Sequence, residues 1–158
     1  MTEQPVSDPD VSIDPAVPAG PARDRVARQI AQDPSIGYLR FRFTEISEDG
    51  VAIRMPVEPG MRNAFGMTQG GFAFLLGDAV FAFTATASGV PMVTHHANVT
   101  YTAPACGDEL TARGRILHRY GRHAVVEVVV LDGEGSLACI MTVHGVASRE
   151  SKASSADA

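Results

Sequence analysis

Cysteine is scarce in this chain. Cys106 and Cys139 are the only two among 158 residues, too few for the disulfide framework of a small secreted domain, and they are expected as free thiols in a reducing compartment. Positive charge is scarce too. The net charge is −5, and Glu3, Asp8, Asp10 and Asp14 stand in a first stretch of twenty residues that holds no Lys or Arg. The remaining body is nearly neutral, so no basic field attracts nucleic acid or an anionic membrane surface. The start lacks the basic residues and apolar run of a signal peptide. The longest apolar stretch, residues 72–87, is interrupted by Gly77 and Asp78, which argues against a membrane span. A cytoplasmic protein is expected. Neither a phosphate-cradling Gly-rich loop with its Lys nor a Gly-x-Ser-x-Gly elbow occurs, so Ser/His/Asp hydrolysis has no support. The length suits one domain with a real core.

Residues 1–20 are rich in Pro and Asp, and residues 151–158 are equally poor in large apolar groups. Neither segment buries enough surface to offset the entropy of ordering. Both are expected to be disordered, flanking a single domain over 21–150. Ala22, Val26 and Ile30 recur every four residues and predict a short helix over 21–33, ended by Pro34. Residues 37–46 alternate Leu39, Phe41 and Phe43 with Arg40, Arg42 and Thr44, which predicts a strand. Asp49-Gly50 turns the chain, and residues 51–57 return as a second strand with an end or edge at Pro56. After a loop over 60–71, residues 72–88 are apolar nearly all round and of helix length. Such a helix must be wrapped by other structure. Four strands follow near 93–101, 109–118, 124–131 and 137–147. One long central helix wrapped by a curved antiparallel β-sheet is the α+β arrangement called the hotdog fold.

Asp78 is the most informative residue. Every neighbour within four positions is apolar or Gly, and an ionised carboxylate in such surroundings needs partners or a shifted pKa. The plain alternative is a helix face that meets water. The second feature is Thr68-Gln69-Gly70-Gly71 at the helix start. Glycines admit close approach of a ligand, and the first helical N–H groups have no intrahelical partner. They suit a carbonyl oxygen on which negative charge develops, although glycines also serve plain chain reversal. Gly71 and Asp78 lie two turns apart on one face, about 10 Å along the axis. One subunit's Asp therefore does not reach a carbonyl held at its own helix start. Two antiparallel helices across a two-fold axis bring each Asp to the other's Gly, which predicts a homodimer with shared sites.

These residues carry a resemblance. MRNAFGMTQGGFAFLLGDAVFAF (residues 61–83) closely resembles the signature of PaaI-type hotdog thioesterases, the (hydroxy)phenylacetyl-CoA and medium-chain acyl-CoA hydrolases. VTHHANVTYTAPACGDELTARGRI (residues 93–116) is similar to that family's strand ending in Pro-x-x-Gly-Asp. The resemblance spans about residues 35–148. It implies that Asp78 is the nucleophile or the base that activates water, and that the Gly71 N–H polarises the thioester carbonyl. It further implies that Asn63 orients the carbonyl or the water, and that Thr94 holds the water beside the Asp. The bland readings are a turn-stabilising Asn and an ordinary strand Thr. Gln69 stands where the family usually has His, and Gly77 where it often has Ala. Gln does not titrate near neutrality, unlike His, so the substrate, and to a lesser degree the activity, are the features these departures affect.

Gln69, Gly70 and Phe65 are candidate substrate-binding residues, with Met67, Phe72 and Phe74 as further pocket candidates that also suit a core. Arg119 and Arg122 flank the Tyr120-Gly121 turn and are candidates for the phosphates of CoA; two solvated arginines explain them equally. His95 and His96 adjoin on a strand and point to opposite faces, while His118, His123 and His144 are scattered. No metal and no cofactor are expected. The expected activity is hydrolysis of aromatic or medium-chain acyl-CoA, (hydroxy)phenylacetyl-CoA among the candidates, by a homodimer or a dimer of dimers. The rival readings are a hydratase or dehydratase of acyl thioesters on the same fold and a non-catalytic acyl-CoA-binding protein.

Overall fold

The computed structural model describes residues 11–147. A short strand, β1 (Ser12–Ile13), leads to helix α1 (Pro21–Gln32) and a 3₁₀ turn over Pro34–Leu39. Strands β2 (Arg42–Ile46) and β3 (Val51–Pro56) form a hairpin, and a 3₁₀ turn over Pro59–Met61 precedes helix α2 (Gly70–Ala87). Four strands complete the fold: β4 (Met92–Tyr101), β5 (Glu109–Tyr120), β6 (His123–Leu131) and β7 (Leu137–Ala147). They make one seven-stranded sheet in the order β1-β2-β3-β5-β6-β7-β4. All pairings are antiparallel except β1 with β2. This is the hotdog arrangement, with the long helix held against one face of the sheet.

The sheet holds α2 by alternation. Ala124, Val126, Val128 and Val130 of β6 are buried, and so are Cys139, Met141 and Val143 of β7. Against them lie Leu76, Val80, Phe81 and Phe83 of α2. Phe83 meets Phe43 of β2 edge to face, with ring centroids 4.7 Å apart, a favoured aromatic geometry. Gly114 and Gly145 let the helix approach: a Cβ on Gly114 would meet Val80 and Thr84, and one on Gly145 would overlap the Phe81 ring. Cys106 and Cys139 are both free, and burial pushes the Cys139 thiol up to about 11, so it stays protonated at neutral pH. By length and composition α2 is long enough to cross a membrane, yet more than half of it is buried within the fold.

α1 closes the far end. Arg25 donates from Nε to the Ala87 carbonyl at 3.1 Å and pairs with Glu48 at 3.0 Å. It thereby serves the last carbonyls of α2, which lack intrahelical donors.

Two expectations are corrected. Residues 11–20 are ordered: Ser12 N–H donates to the Phe41 carbonyl and Asp14 N–H to the Phe43 carbonyl, both at 2.9 Å. Asp14 pairs with Arg42 at 2.6 Å, and the Ala16 N–H and that guanidinium hold its carboxyl below the usual carboxylate range. Val17 is 5% exposed. Free β2 edge hydrogen bonds order this segment, which composition alone does not reveal. The expectations for residues 1–10 and for the tail 151–158 lie outside the described residues. The strand expected from residue 37 begins at Arg42, because residues 34–39 take a 3₁₀ turn whose N-cap Asp33 accepts the Ser35 N–H, and Arg40 adopts a left-handed conformation with φ 51°. Phe41 and Phe43 still point to the core.

Candidate active site

Asp78 sits half-buried on α2, facing the edge strand β4. Thr94 Oγ1 donates to Asp78 Oδ1 at 2.8 Å. Among the described residues the carboxylate accepts no other protein hydrogen bond, so Oδ2 is available to water or substrate. The hydroxyl is therefore a partner of the carboxylate rather than an ordinary strand side chain.

A second side chain from β4 reaches α2, and the sequence gives no sign of it. Tyr101 donates from its hydroxyl to the Gly70 carbonyl at 3.0 Å. Thr94 and Tyr101 are seven residues apart, so strict alternation would put them on opposite faces. The register of β4 against β7 slips between Thr94 and His96. This bulge resets the alternation, so that Met92, Thr94, Ala97, Val99 and Tyr101 share the side facing α2. Burial, with the nearby Cys139 adding to it, raises the Tyr101 phenol above its ordinary 10.0. It remains a donor at neutral pH.

The helix start is seated by backbone bonds. Thr68 N–H donates to the Ala105 carbonyl at 3.0 Å and Gln69 N–H to the Met61 carbonyl at 2.8 Å. Gln69 is the N-cap, but its side chain caps no helix amide and is exposed. The Tyr101 ring lies over Gly70, where a Cβ would come within 3.0 Å of Cε1. Gly71 is exposed, with nothing within 4 Å of a Cβ placed there, leaving room for a ligand beside the first helical amides. A cleft of about 400 Å³ opens at this point, lined by Met67, Thr68, Gly70, Ala73, Tyr101 and Ala138 among others. Thr68 is 5% exposed and its Oγ1 has no hydrogen-bond partner.

Asn63 shapes the loop before the helix. Its Oδ1 accepts the N–H groups of Phe65 at 2.9 Å and Met67 at 3.2 Å, which is the turn-stabilising role. Arg62, missed from sequence, ties the same loop down through Gly66, Gly107 and Asp108. Phe65 stands at the tip, 83% exposed. It does not line the cleft, whereas Met67 does. Phe72 and Phe74 pack against the core. Gly77, where Ala was the family's choice, faces the Met141 sulfur, which occupies the place of a Cβ.

The far turn is also corrected. Arg122 donates from Nε at 3.0 Å and Nη2 at 2.6 Å to the Ala147 carbonyl, so it pins the end of β7 and is not free for phosphates. Arg119 is exposed at the end of β5. The scattered histidines converge: His95, His118, His123 and His144 line one depression of about 160 Å³, because bulges in β4 and β5 turn them together. His96 stacks edge-on against His144 at 5.6 Å. Among the described residues no group of three His, Cys, Asp or Glu could hold a metal ion.

Known proteins resemble this chain in sequence and fold. The thioesterase superfamily model matches residues 65–139, from the loop before α2 into β7. The 1,4-dihydroxy-2-naphthoyl-CoA hydrolase of Escherichia coli is 26% identical over 107 residues, 66% of this chain and 79% of that protein. Among solved structures, the PaaI protein from the phenylacetic acid degradation operon of E. coli superposes with a TM-score of 0.76 at 20% identity, covering 80% of this chain and 93% of that one. A Streptococcus mutans protein solved with acetyl-CoA gives 0.65 at 23% identity, covering 68% and 88%. The fold is the hotdog fold, and the matched segment is that of thioester hydrolases. Over residues 65–139, just under half of its length, the chain is similar to the thioesterase superfamily.

Proposed function

We propose that the protein hydrolyses acyl-CoA thioesters, with Asp78 and the start of α2 as the reacting groups. The observation that carries this reading is the Thr94–Asp78 hydrogen bond of 2.8 Å, which fixes a carboxylate on an otherwise apolar helix. In this scheme the Gly71 N–H receives the thioester oxygen. Asp78 takes the proton from an attacking water, or attacks the carbonyl carbon itself to form an acyl anhydride, which a water then hydrolyses to free acid and carboxylate, releasing the proton. The carbonyl electrons move to oxygen, where the helix N-terminus stabilises the charge. They return as the carbon–sulfur bond breaks, and CoA leaves as a thiolate that recovers the proton. Water supplies the new oxygen of the acid.

CoA esters are the substrates named for the E. coli hydrolase, and acetyl-CoA is the molecule bound to the S. mutans protein. The cleft beside Gly70 is mostly apolar in its lining and measures about 400 Å³, a size that suits an aromatic or medium-chain acyl group, (hydroxy)phenylacetyl included. Gln69 lies exposed beside it, positioned to contact the acyl group or the thioester. Arg119 is the remaining basic candidate at the β5–β6 turn for the CoA phosphates. The working unit is a dimer, by resemblance a dimer of dimers, in which each Asp78 serves the partner's Gly71. The edge of β4, which no strand among the described residues pairs, and the exposed Leu75 and Val93 support it.

Thiol release from a panel that includes phenylacetyl-CoA and hexanoyl-CoA tests the reading. Wild type should turn over at least one ester, and Asp78→Asn should lose about 10²-fold or more in kcat. Binding of these esters without thiol release in wild type would show a binding protein on this fold instead.

A further inference from the structure

We propose that Tyr101 is a positioning residue for thioester hydrolysis, acting through the single peptide unit that joins Gly70 to Gly71. The inference rests on the reading of Gly71 as the carbonyl-binding amide. The oxygen that accepts the Tyr101 hydroxyl at 3.0 Å belongs to Gly70, and the N–H of that same peptide belongs to Gly71. The peptide is planar and trans, so fixing the direction of its oxygen fixes the direction of its N–H. A hydrogen bond accepted at the oxygen also withdraws charge through the conjugated amide and makes the N–H a stronger donor. Such cooperative strengthening is about 10–30% per bond.

Three observations single out this contact. The peptide lies between two glycines, which have the widest backbone freedom, and at the first turn of a helix, where the ladder holds it least. The Tyr101 side chain is not a core anchor, since the residue is 51% exposed. Finally, β4 supplies both Thr94 to Asp78 and Tyr101 to Gly70. One strand therefore sets the geometry of the carboxylate and of the oxyanion donor, and the bulge after Thr94 lets it do both.

Tyr101→Phe keeps the ring over Gly70 and removes the hydroxyl. With the acyl-CoA that wild type turns over best, kcat should fall about fivefold to tenfold, less than the loss of a whole oxyanion donor, with KM changed less than about twofold. Installing 3-fluorotyrosine at position 101, a more acidic donor, should restore kcat to wild type or above at slightly acidic pH, where the phenol keeps its proton. A second readout needs no turnover. The carbonyl stretch of bound phenacyl-CoA, a thioether that cannot be hydrolysed, should lie at lower frequency in wild type than in Tyr101→Phe. Unchanged kcat with an unchanged stretch overturns the proposal while the thioesterase reading stands. A fall in kcat that comes with an equal rise in KM, and that the fluorinated residue does not reverse, marks a merely structural role and also overturns it. If wild type hydrolyses no thioester, the proposed function falls, and the carbonyl stretch alone decides whether Tyr101 governs this amide.

Discussion

Thr94 and Asp78 form a pair whose two halves have different work. In the proposed hydrolysis the carboxylate meets water or substrate on one oxygen, and the hydroxyl holds the other at 2.8 Å. Thr94→Val keeps the shape of the side chain and deletes the donor. We expect kcat about tenfold below wild type, with little change in KM, because the carboxylate loses orientation rather than substrate contact. In an Asp78→Asn background the same change should cost almost nothing further, since a donor to a group that no longer reacts has no effect on rate. Steady-state thiol release on the four proteins of this cycle checks both statements; full additivity would mean that Thr94 acts elsewhere. Asp78 is legible in sequence because a charge amid Phe, Leu, Gly and Val is conspicuous. Its tyrosine counterpart at the helix start is not. Tyr101 has the wrong parity relative to Thr94, and only the bulge between Thr94 and His96 puts both on the side of α2. Nothing in His95 or His96 announces a bulge. The same blindness separates His118 from His144 in sequence and joins them in space.

The elements themselves follow closely from hydrophobic period and turn chemistry. β7 occupies the residues expected, 137–147, and α2 differs from expectation by two residues at its start and one at its end. α2 is apolar on every side because the sheet, α1 and the loops enclose most of it, and the close approach depends on glycines opposite its large side chains. Gly145→Ala would drive a methyl into the Phe81 ring, with Met92 Cβ only 3.1 Å away. An aromatic ring locked between helix and sheet has no room to retreat, so we expect a loss of about 1–3 kcal/mol, read as a lower urea midpoint at unchanged slope. Gly71→Ala is the control on the same helix. A Cβ there meets nothing within 4 Å, and alanine favours the helix, so stability should hold or rise slightly. What composition hides at this scale is β1. Two residues cannot show a period, and Ser12–Ile13 is ordered only because the outer edge of β2 offers unmet backbone groups. Likewise Arg40, in a left-handed conformation, interrupts a pattern that reads as continuous strand.

At the scale of the whole molecule, the proposed site is divided. Within one chain the Gly71 amide and the Asp78 carboxylate are separated by about 10 Å along α2, and the sheet ends at β4 with no strand on its outer side among the described residues. The twelve-residue β5, inside the sheet, is paired on both sides, while β4, ten residues long, leaves one row of backbone groups open. Open edges of this length invite pairing with another chain. If two chains join there with their helices antiparallel, each site takes its carboxylate from one and its amide from the other. This division has a quantitative consequence. Asp78→Asn removes the carboxylate from both sites of a dimer, and Gly71→Pro removes the amide from both, in the first helical turn, where that N–H has no intrahelical partner to lose. Each variant alone should be inactive. Unfolded together and refolded as an equal mixture, they form mixed dimers in which one site carries both lesions and the other carries none. Random pairing makes half the dimers mixed, so about a quarter of wild-type thiol release should return. No recovery, with mixed dimers verified by mass spectrometry, would mean that each chain completes its own site. The carbonyl would then have to bind nearer Asp78 than the helix start, and Thr94 rather than Gly71 would be its first polar contact.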